Sequence, residues 1–196
     1  MHDVSDGGSS HDCLEYAVVN RANARGRQLR ADLLETWVAV TDAGASVGFT
    51  APADRAQIAA TLDLALERVA NGSDVLGVLT RASTVVGMGF LVENGSPLQR
   101  HWRVLLRLMV RPELQGSGAG RTLLEGLHQT ARELGLEQLQ LTVRDGHGLE
   151  RFYERFGYAV VGRHPGAIRV GSRDDRDEVM MVARLGPRRA PSRSPH

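Results

Sequence analysis

The chain has 196 residues, of which 24 are basic and 23 acidic, and its formal net charge is +1. Every basic residue is an arginine, because the sequence contains no lysine. This excludes Schiff-base and pyridoxal-phosphate enzymes, lysine general bases, the Walker phosphate loop and the protein-kinase core, since each needs a lysine amine. An anion must therefore be bound by guanidinium groups or by backbone N–H groups.

The remaining totals predict one cytoplasmic domain. A chain of this length with 42% hydrophobic residues suits a single buried core. The single cysteine, Cys13, cannot form an internal disulfide, which fits a reducing compartment. The balanced charge favours neither nucleic acid nor a membrane surface, and no apolar run has the length of a membrane span. We expect a single domain over residues 12–185, with disordered ends at 1–11 and 186–196, and no metal site.

Hydrophobic periodicity predicts the elements in chain order. The first three are a strand at Glu15–Val19, a helix at Ala24–Ala43 and a helix from Asp54 to about Ala70. Three strands follow, at Val75–Arg81, Thr84–Glu93 and roughly Trp102–Val110, and then a glycine-rich turn and a helix from about Ala119 to Leu134. The last elements are a strand with Leu139, Leu141 and Val143, a short helix Gly148–Phe156, and strands Tyr158–Val161 and Glu178–Leu185, which a charged loop at 173–177 separates. This order predicts an α+β domain around a mostly antiparallel sheet.

The most informative segment is the glycine-rich turn Arg111–Gly120, which connects a strand to an amphipathic helix. The first N–H groups of a helix have no intrahelical acceptor, and the helix dipole adds partial positive charge there. Glycines let a bulky anion approach the backbone closely. Together these features predict a pyrophosphate site that needs no lysine, although a tight turn with glycines for packing alone is the alternative.

Two segments resemble the motifs of one enzyme family. Leu108–Gly120 resembles motif A of the GNAT family of N-acetyltransferases, whose Gln/Arg-x-x-Gly-x-Gly/Ala core is matched by Gln115, Gly118 and Gly120. Leu149–Tyr158 resembles motif B of the same family, and the element order agrees from about Glu15 to Leu185. The resemblance implies a GNAT-like fold, with a central, mostly antiparallel mixed sheet flanked by about four helices.

The resemblance also implies acetyl-CoA as the cofactor. Its diphosphate would lie on the backbone of the turn, and its pantetheine arm would pair along the preceding strand. The backbone N–H of Val110 matches the group that polarises the thioester carbonyl in the family. The cofactor-binding residues implied are Leu108, Met109, Val110, Gln115, Gly116, Ser117, Gly118, Ala119, Gly120 and Tyr153.

Tyr153 matches the position of the acid that protonates the departing CoA thiolate in the family. Proton transfer from a tyrosine of pKa ~10 to a thiol of pKa ~8.5 is uphill by about 2 kcal/mol, which a catalytic step can accommodate. The alternative role of Tyr153 is packing beside Phe152 and Phe156. One helix face can serve both purposes.

The chain departs from the family pattern at two places. Gly146 stands where many members have an asparagine that contacts CoA, and Arg100–Val110 lacks the glutamate that often acts as a base. Deprotonating an α-amino group of pKa ~7.8 at neutral pH costs only about 1 kcal/mol, whereas an ε-amine of pKa ~10.4 costs about 4.6 kcal/mol. We therefore expect a low-pKa acceptor amine that is deprotonated through water, with His101, Asp145 and His147 as alternative bases.

Alternation along Trp102–Val110 predicts that Arg103 and Arg107 share one side of the strand with Leu105 and Met109. A carboxylate on the acceptor would suit the forked geometry of either arginine. Internal pairing with Glu35, Asp42 or the charges at 173–177 is the alternative.

A second, narrower resemblance covers Leu33–Phe49. This segment is similar to a helix and the following turn of tabtoxin-resistance acetyltransferases, a GNAT branch that inactivates an amino-acid-like toxin. The similarity adds Trp37, Ser46 and Phe49 to Arg103 and Arg107 as acceptor-site candidates. Alternatively, Gly44 and Gly48 only shape a turn between helices.

The function predicted is acetyl-CoA-dependent N-acetylation of a small, amino-acid-like or antibiotic-like amine by direct attack in a ternary complex, with antibiotic resistance as a biological role. Acetylation of a protein N-terminus and a non-catalytic acyl-CoA sensor are the alternatives. We expect a small-molecule amine as the partner, with neither nucleic acid nor membrane. A homodimer through an edge strand is compatible with the family.

Overall fold

A computed structural model describes residues 13–45, 47–146 and 148–186. The helices are α1 (Arg27–Asp42), α2 (Arg55–Ala70), α3 (Ala119–Glu133) and α4 (Leu149–Glu154). The strands are β1 (Glu15–Val18), β2 (Val75–Arg81), β3 (Thr84–Glu93), β4 (Trp102–Val110), β5 (Gln138–Arg144), β6 (Tyr158–Gly171) and β7 (Asp174–Arg184). Within this part of the chain, no helix is both long and apolar enough to span a membrane. The segments predicted to be disordered lie outside the described residues, except for Gly186.

The seven strands form one mixed sheet in the order β1-β2-β3-β4-β5-β7-β6. The pairs β1–β2, β5–β7 and β6–β7 are antiparallel, and β4–β5 is parallel. The predicted fold class and element order are therefore confirmed. By its contacts the chain divides into two compact units, Met1–Gly89 with Arg107–Gly126, and Phe90–Leu106 with Leu127–His196.

The first unit contains α1 and α2. Asp54 caps α2, because its Oδ1 accepts hydrogen bonds from the N–H groups of Ala56 and Gln57, both at 3.0 Å. Helix α1 begins three residues later than predicted, because its N-cap residue Gly26 has an extended backbone. The preceding residues Arg21–Asn23 form a separate 3-10 turn. The fully buried hydrophobic residues of this unit include Leu33, Trp37, Ile58, Leu62, Leu76, Leu79 and Met88. Leu33 and Trp37 on α1, like Ile58 and Leu62 on α2, are four residues apart, which places each pair on one face of its helix.

The second unit contains the long β6–β7 hairpin, where the prediction of a charged loop at 173–177 is wrong. Residues 174–177 belong to β7, which pairs with β6. Asp175 and Asp177 pair across the hairpin with Arg169 at 2.8 Å and Arg163 at 3.6 Å, and Arg176 pairs with Asp174 along β7. Cross-strand ion pairs of this kind allow charged residues to occupy an exposed ladder. Buried apolar residues alternate along β5 and β7, namely Leu139, Leu141, Val143, Val179, Met181 and Ala183.

Candidate functional site

The segment between β4 and α3 is an exposed turn that leaves backbone N–H groups unused. Pro112–Leu114 form a short 3-10 turn. The N–H groups of Gln115 and Ser117 donate to the carbonyls of Pro112 and Leu114 at 3.1 and 3.3 Å, so two of the six predicted N–H donors are occupied. Among the described residues, no acceptor takes the other four N–H groups, which belong to Gly116, Gly118, Ala119 and Gly120.

Two glycines give this turn its shape. Gly116 has φ of +80° and Gly118 has φ of +94°, a region that strongly favours glycine. A Cβ atom added at either position would meet no heavy atom within 4 Å. The space beside the turn is therefore open, and the start of the 15-residue helix α3 adds positive potential to it. This arrangement fits a bound diphosphate.

The end of β4 packs closely on β3 in the same unit. A Cβ atom at Gly87 would lie 2.9 Å from Val110 Cγ1 and 3.0 Å from the carbonyl oxygen of Met109. Glycine at position 87 is therefore required by close approach. The parallel ladder between β4 and β5 comprises Trp102–Val104 with Gln138–Gln140. The segment Leu108–Val110, for which a pantetheine contact is predicted, thus lies beyond that ladder.

Arg111 fixes the start of the turn. Its N–H donates to the Val86 carbonyl at 2.8 Å, and its Nε donates to Thr36 Oγ1 at 3.2 Å. Thr36, which is fully buried on α1, in turn donates its hydroxyl proton to the Val85 carbonyl at 3.2 Å. Helix α1, β3 and the turn are thereby connected through one threonine. Sequence reasoning missed this contact, and the only signal was a polar residue among apolar positions of α1.

Arg107 has an unusual backbone conformation and stacks on an aromatic ring. Its φ is +55°, which is uncommon for a residue other than glycine. The prediction of regular alternation therefore fails beyond this residue, and both Met109 and Val110 are buried. The guanidinium carbon of Arg107 lies 4.8 Å from the Trp37 ring centroid, a cation–π distance. Partial burial lowers the pKa of Arg107, while the charge of Asp74 raises it.

The contacts of Trp37 hold in place the ring on which Arg107 lies. It is fully buried, its Nε1–H donates to the Val47 carbonyl at 3.0 Å, and its ring meets that of Phe49 edge-on at 5.7 Å. The structure thus brings together three acceptor-site candidates, Trp37, Phe49 and Arg107. The fourth, Ser46, lies outside the described residues.

Arg103, the remaining candidate, belongs to the other unit, where its Nη1 donates to the Leu91 carbonyl at 3.2 Å. The acidic partners considered for the two arginines are engaged elsewhere. Glu35 pairs with Arg55, and Asp42 accepts a hydrogen bond from the Ala53 N–H at 2.7 Å. The acidic residues at 174, 175 and 177 pair with Arg176, Arg169 and Arg163. The internal ion pairs considered as the alternative for Arg103 and Arg107 are therefore not among those of the described residues.

Tyr153 lies in an aromatic cluster of the second unit. It is 7% exposed, and its ring contacts those of Phe152 and Tyr158 at centroid distances of 5.1 and 5.5 Å. Burial raises the pKa of Tyr153 well above its usual value, so the phenol stays protonated. It is also a weaker acid than an ordinary tyrosine, so the expected cost of about 2 kcal/mol for proton donation is too low.

The same cluster contains a buried histidine that sequence reasoning missed. Nε2 of His128 lies 3.0 Å from the hydroxyl of Tyr158. Burial, together with the nearby Tyr153, raises the pKa of Tyr158. This hydrogen bond orients Tyr158 against Tyr153.

The three alternative bases are not equivalent. His101 is exposed, and its carbonyl accepts a hydrogen bond from the Glu137 N–H at 2.7 Å. Asp145 Oδ1 accepts from the Asp177 N–H at 3.1 Å, so this carboxylate supports the connection between β5 and β7. His147 lies outside the described residues.

A comparison with protein families identifies the family of this chain. The family described as the acetyltransferase (GNAT) domain matches residues 56–167, which is more than half of the chain. The chain belongs to the GNAT acetyltransferase family. It is therefore an acyltransferase, and acetyl-CoA is the cosubstrate of this family.

Solved structures show the same GNAT fold. The yncA protein of Salmonella typhimurium, solved with its cofactor acetyl-CoA, has a TM-score of 0.70 and 19% identity, over 92% of this chain and 98% of that one. A ribosomal-protein-alanine N-acetyltransferase from Brucella melitensis has a TM-score of 0.68 and 20% identity, over 87% and 99%. An aminoglycoside 6'-acetyltransferase type Ii has a TM-score of 0.66 and 17% identity, over 89% and 99%. At these identities the likeness concerns the fold alone.

Proposed function

We propose that this GNAT enzyme transfers the acetyl group of acetyl-CoA to the amine of a small, amino-acid-like or antibiotic-like molecule by direct attack. The observation that carries the proposal is the exposed turn before α3. It presents four unused N–H groups, two left-handed glycines and a helix N-terminus, and so suits a diphosphate without any lysine.

Acetyl-CoA supplies an activated acetyl thioester. In the proposed mechanism Gln115–Gly120 bind the diphosphate, and Leu108–Val110 align the pantetheine arm. The Val110 N–H then stabilises negative charge that develops on the thioester oxygen. Gly87 supports that position, because any larger residue would displace Val110.

We propose Tyr153 as the group that returns a proton to the departing sulfur. Its raised pKa keeps the proton on the phenol at neutral pH, which a proton donor requires. The cost of donation is smaller if the thiolate is also held in an apolar environment, because desolvation raises the pKa of a thiol as well.

We propose an acceptor with a low-pKa amine that loses its proton to water. Arg100–Val110 contains no acidic residue, and Asp145 is occupied by a backbone hydrogen bond. An amine that is partly neutral at physiological pH needs no side-chain base. The similarity of Leu33–Phe49 to tabtoxin-resistance acetyltransferases also supports a small, zwitterionic molecule, and hence a role in antibiotic resistance. We further propose that the protein acts in the cytoplasm.

Acetylation of a protein N-terminus is the second candidate. It is favoured by the same low-pKa argument, since an α-amino group is also its target. Solved structures of the same fold include both a ribosomal-protein-alanine acetyltransferase and an aminoglycoside acetyltransferase, so the shared fold does not decide between the two acceptors. The acceptor must therefore be determined by assaying this protein itself.

Release of free thiol from acetyl-CoA separates these functions. The purified protein is assayed with amino acids, peptides with free N-termini and amine antibiotics. We expect turnover with small amines that carry a low-pKa amino group. Preference for peptides would favour the second candidate, preference for ε-amines would contradict the low-pKa argument, and acetyl-CoA binding without any turnover would indicate a sensor.

A further inference from the structure

We propose that Arg107 binds a carboxylate of the acceptor, so that the substrate is an amino acid or an analogue whose free carboxylate lies beside its amine. This inference rests on the proposed function, because it concerns the acceptor of the same acetyl transfer. It adds the chemical group that the enzyme recognises and the residue that recognises it.

The first argument concerns the hydrogen-bond donors of the Arg107 guanidinium. Its carbon lies 4.8 Å from the centroid of the Trp37 ring, and this cation–π contact occupies no conventional hydrogen-bond acceptor. A guanidinium has five N–H donors in a planar fork, which matches the two oxygens of a carboxylate. Within the described residues, no acceptor is hydrogen-bonded to Arg107 and no carboxylate pairs with it.

The second argument concerns charge. Several other arginines of the described chain are neutralised by carboxylates at short distances, namely Arg25, Arg30, Arg55, Arg68, Arg163, Arg169 and Arg176. Arg103 and Arg132 instead donate to backbone carbonyls. The charge of Asp74 acts on Arg107, but Arg68 already holds that carboxylate with contacts of 2.6 and 2.8 Å. Arg107 is thus a partly buried cation whose desolvation is only partly offset. An anionic ligand would restore that balance.

The third argument concerns position. Arg107 is three residues before Val110 on the same strand and in the same unit, which corresponds to roughly 10 Å along an extended chain. A small amino acid bound to the side chain of Arg107 by its carboxylate can therefore place its amine near the thioester position. The left-handed φ of Arg107 is strained for a residue other than glycine, and such strain clusters at functional sites.

The test uses the fluorescence of Trp37, because Arg107 lies on its ring. The chain has two tryptophans, and Trp102→Phe leaves Trp37 as the only one. This protein, saturated with CoA, is titrated with each of the twenty amino acids and with the matching primary amides, which lack the carboxylate. We expect at least one amino acid to give a saturable change, with its amide binding about 10- to 100-fold more weakly.

Three further variants connect that signal to Arg107. Arg107→Asn, which tolerates the left-handed φ, should abolish the difference between acid and amide. Arg107→Lys keeps the charge but loses the fork, so binding of the acid should weaken by about tenfold. Arg30→Asn removes a paired arginine of the same unit and should leave both titrations unchanged. Thermal melting identifies any variant that fails to fold. If Arg107→Asn does not fold, the conclusion is drawn from Arg107→Lys.

The proposal is overturned if acid and amide bind equally, if no amino acid alters the fluorescence, or if the Arg107 variants titrate like the parent protein. The proposed function fails in a different way, namely by an absence of acetyl-CoA binding or of acetyl transfer to any amine. Transfer to amines without a carboxylate, at rates equal to those of amino acids, would leave the enzyme an acetyltransferase and refute only the role of Arg107.

Discussion

Substitution of Gly118 by alanine separates the backbone requirement of the turn from its role in cofactor binding. Gly118 has φ of +94°, and an added Cβ would meet no atom within 4 Å. The cost to the folded protein is therefore the strained backbone alone, about 1–2 kcal/mol. In a chain of this size such a loss lowers Tm by about 2–8 °C.

The effect on acetyl-CoA should be larger. A diphosphate on the N–H groups of the turn would occupy the open space that the new methyl group enters, and charge-assisted hydrogen bonds contribute about 1.5–3 kcal/mol each. Weakening one of them raises the dissociation constant by roughly tenfold or more. Gly135→Ala is the matched control, since Gly135 has φ of +73°, equally open surroundings and a place after the end of α3.

Calorimetric titration with acetyl-CoA and thermal melting are to be performed on both variants. We expect similar losses of Tm, but weaker cofactor binding only in Gly118→Ala. Equal dissociation constants for the two variants would show that the turn does not hold the diphosphate, and would refute the reasoning behind the proposed function.

Three other substitutions test the site. Tyr153→Phe should lower kcat by about 100-fold or more. Because burial raises the pKa of Tyr153 above 10, the wild-type kcat should not fall between pH 8 and 10 through loss of that proton. A decline of kcat within that pH range would contradict the assignment. Gly87→Ala should cost about 1–3 kcal/mol of stability and lower kcat, because the new Cβ would press on Val110. The double variant with Val110→Ala should recover part of the lost kcat, measured by thiol release. Additive effects of the two substitutions would refute the contact between positions 87 and 110. Thr36→Val should cost about 1–3 kcal/mol in denaturant unfolding, because the buried Thr36 hydroxyl bonds both Val85 and Arg111. The control Thr61→Val, at a half-buried threonine that bonds only within α2, should change little, and equal losses would exclude a special role of Thr36.

Much of the fold follows from local signals in the sequence. Asp54 is an N-cap residue followed by an apolar stripe, and α2 begins directly after it. Val86, Met88, Phe90 and Val92 recur at every second position of Thr84–Glu93, and β3 has these bounds. The β6–β7 hairpin was not predictable in the same way, because its charged residues favour a loop locally. Only pairing across the hairpin makes them suitable for strands.

In the candidate site, too, local features could be predicted from the sequence and long-range contacts could not. The glycines of the turn could be predicted, because only glycine readily adopts their positive φ. The left-handed conformation of Arg107 could not, since arginine has no preference for it. The bond between Arg111 and Thr36 joins residues 75 positions apart, and no local pattern reports such a contact. The hydrogen bond between His128 and Tyr158 is of the same kind.

The two outermost strands of the sheet are poor templates for another chain. At one end β1 has only four residues. At the other, β6 is largely exposed and fourteen residues long, but Pro165 and the bulge around it interrupt its donors, and Arg163 and Arg169 carry charge along it. Proteins commonly protect such edges from aggregation with lysine, proline and bulges. In this protein arginine takes the place of lysine at that edge, and the whole sequence contains no ε-amine that acetyl-CoA could modify.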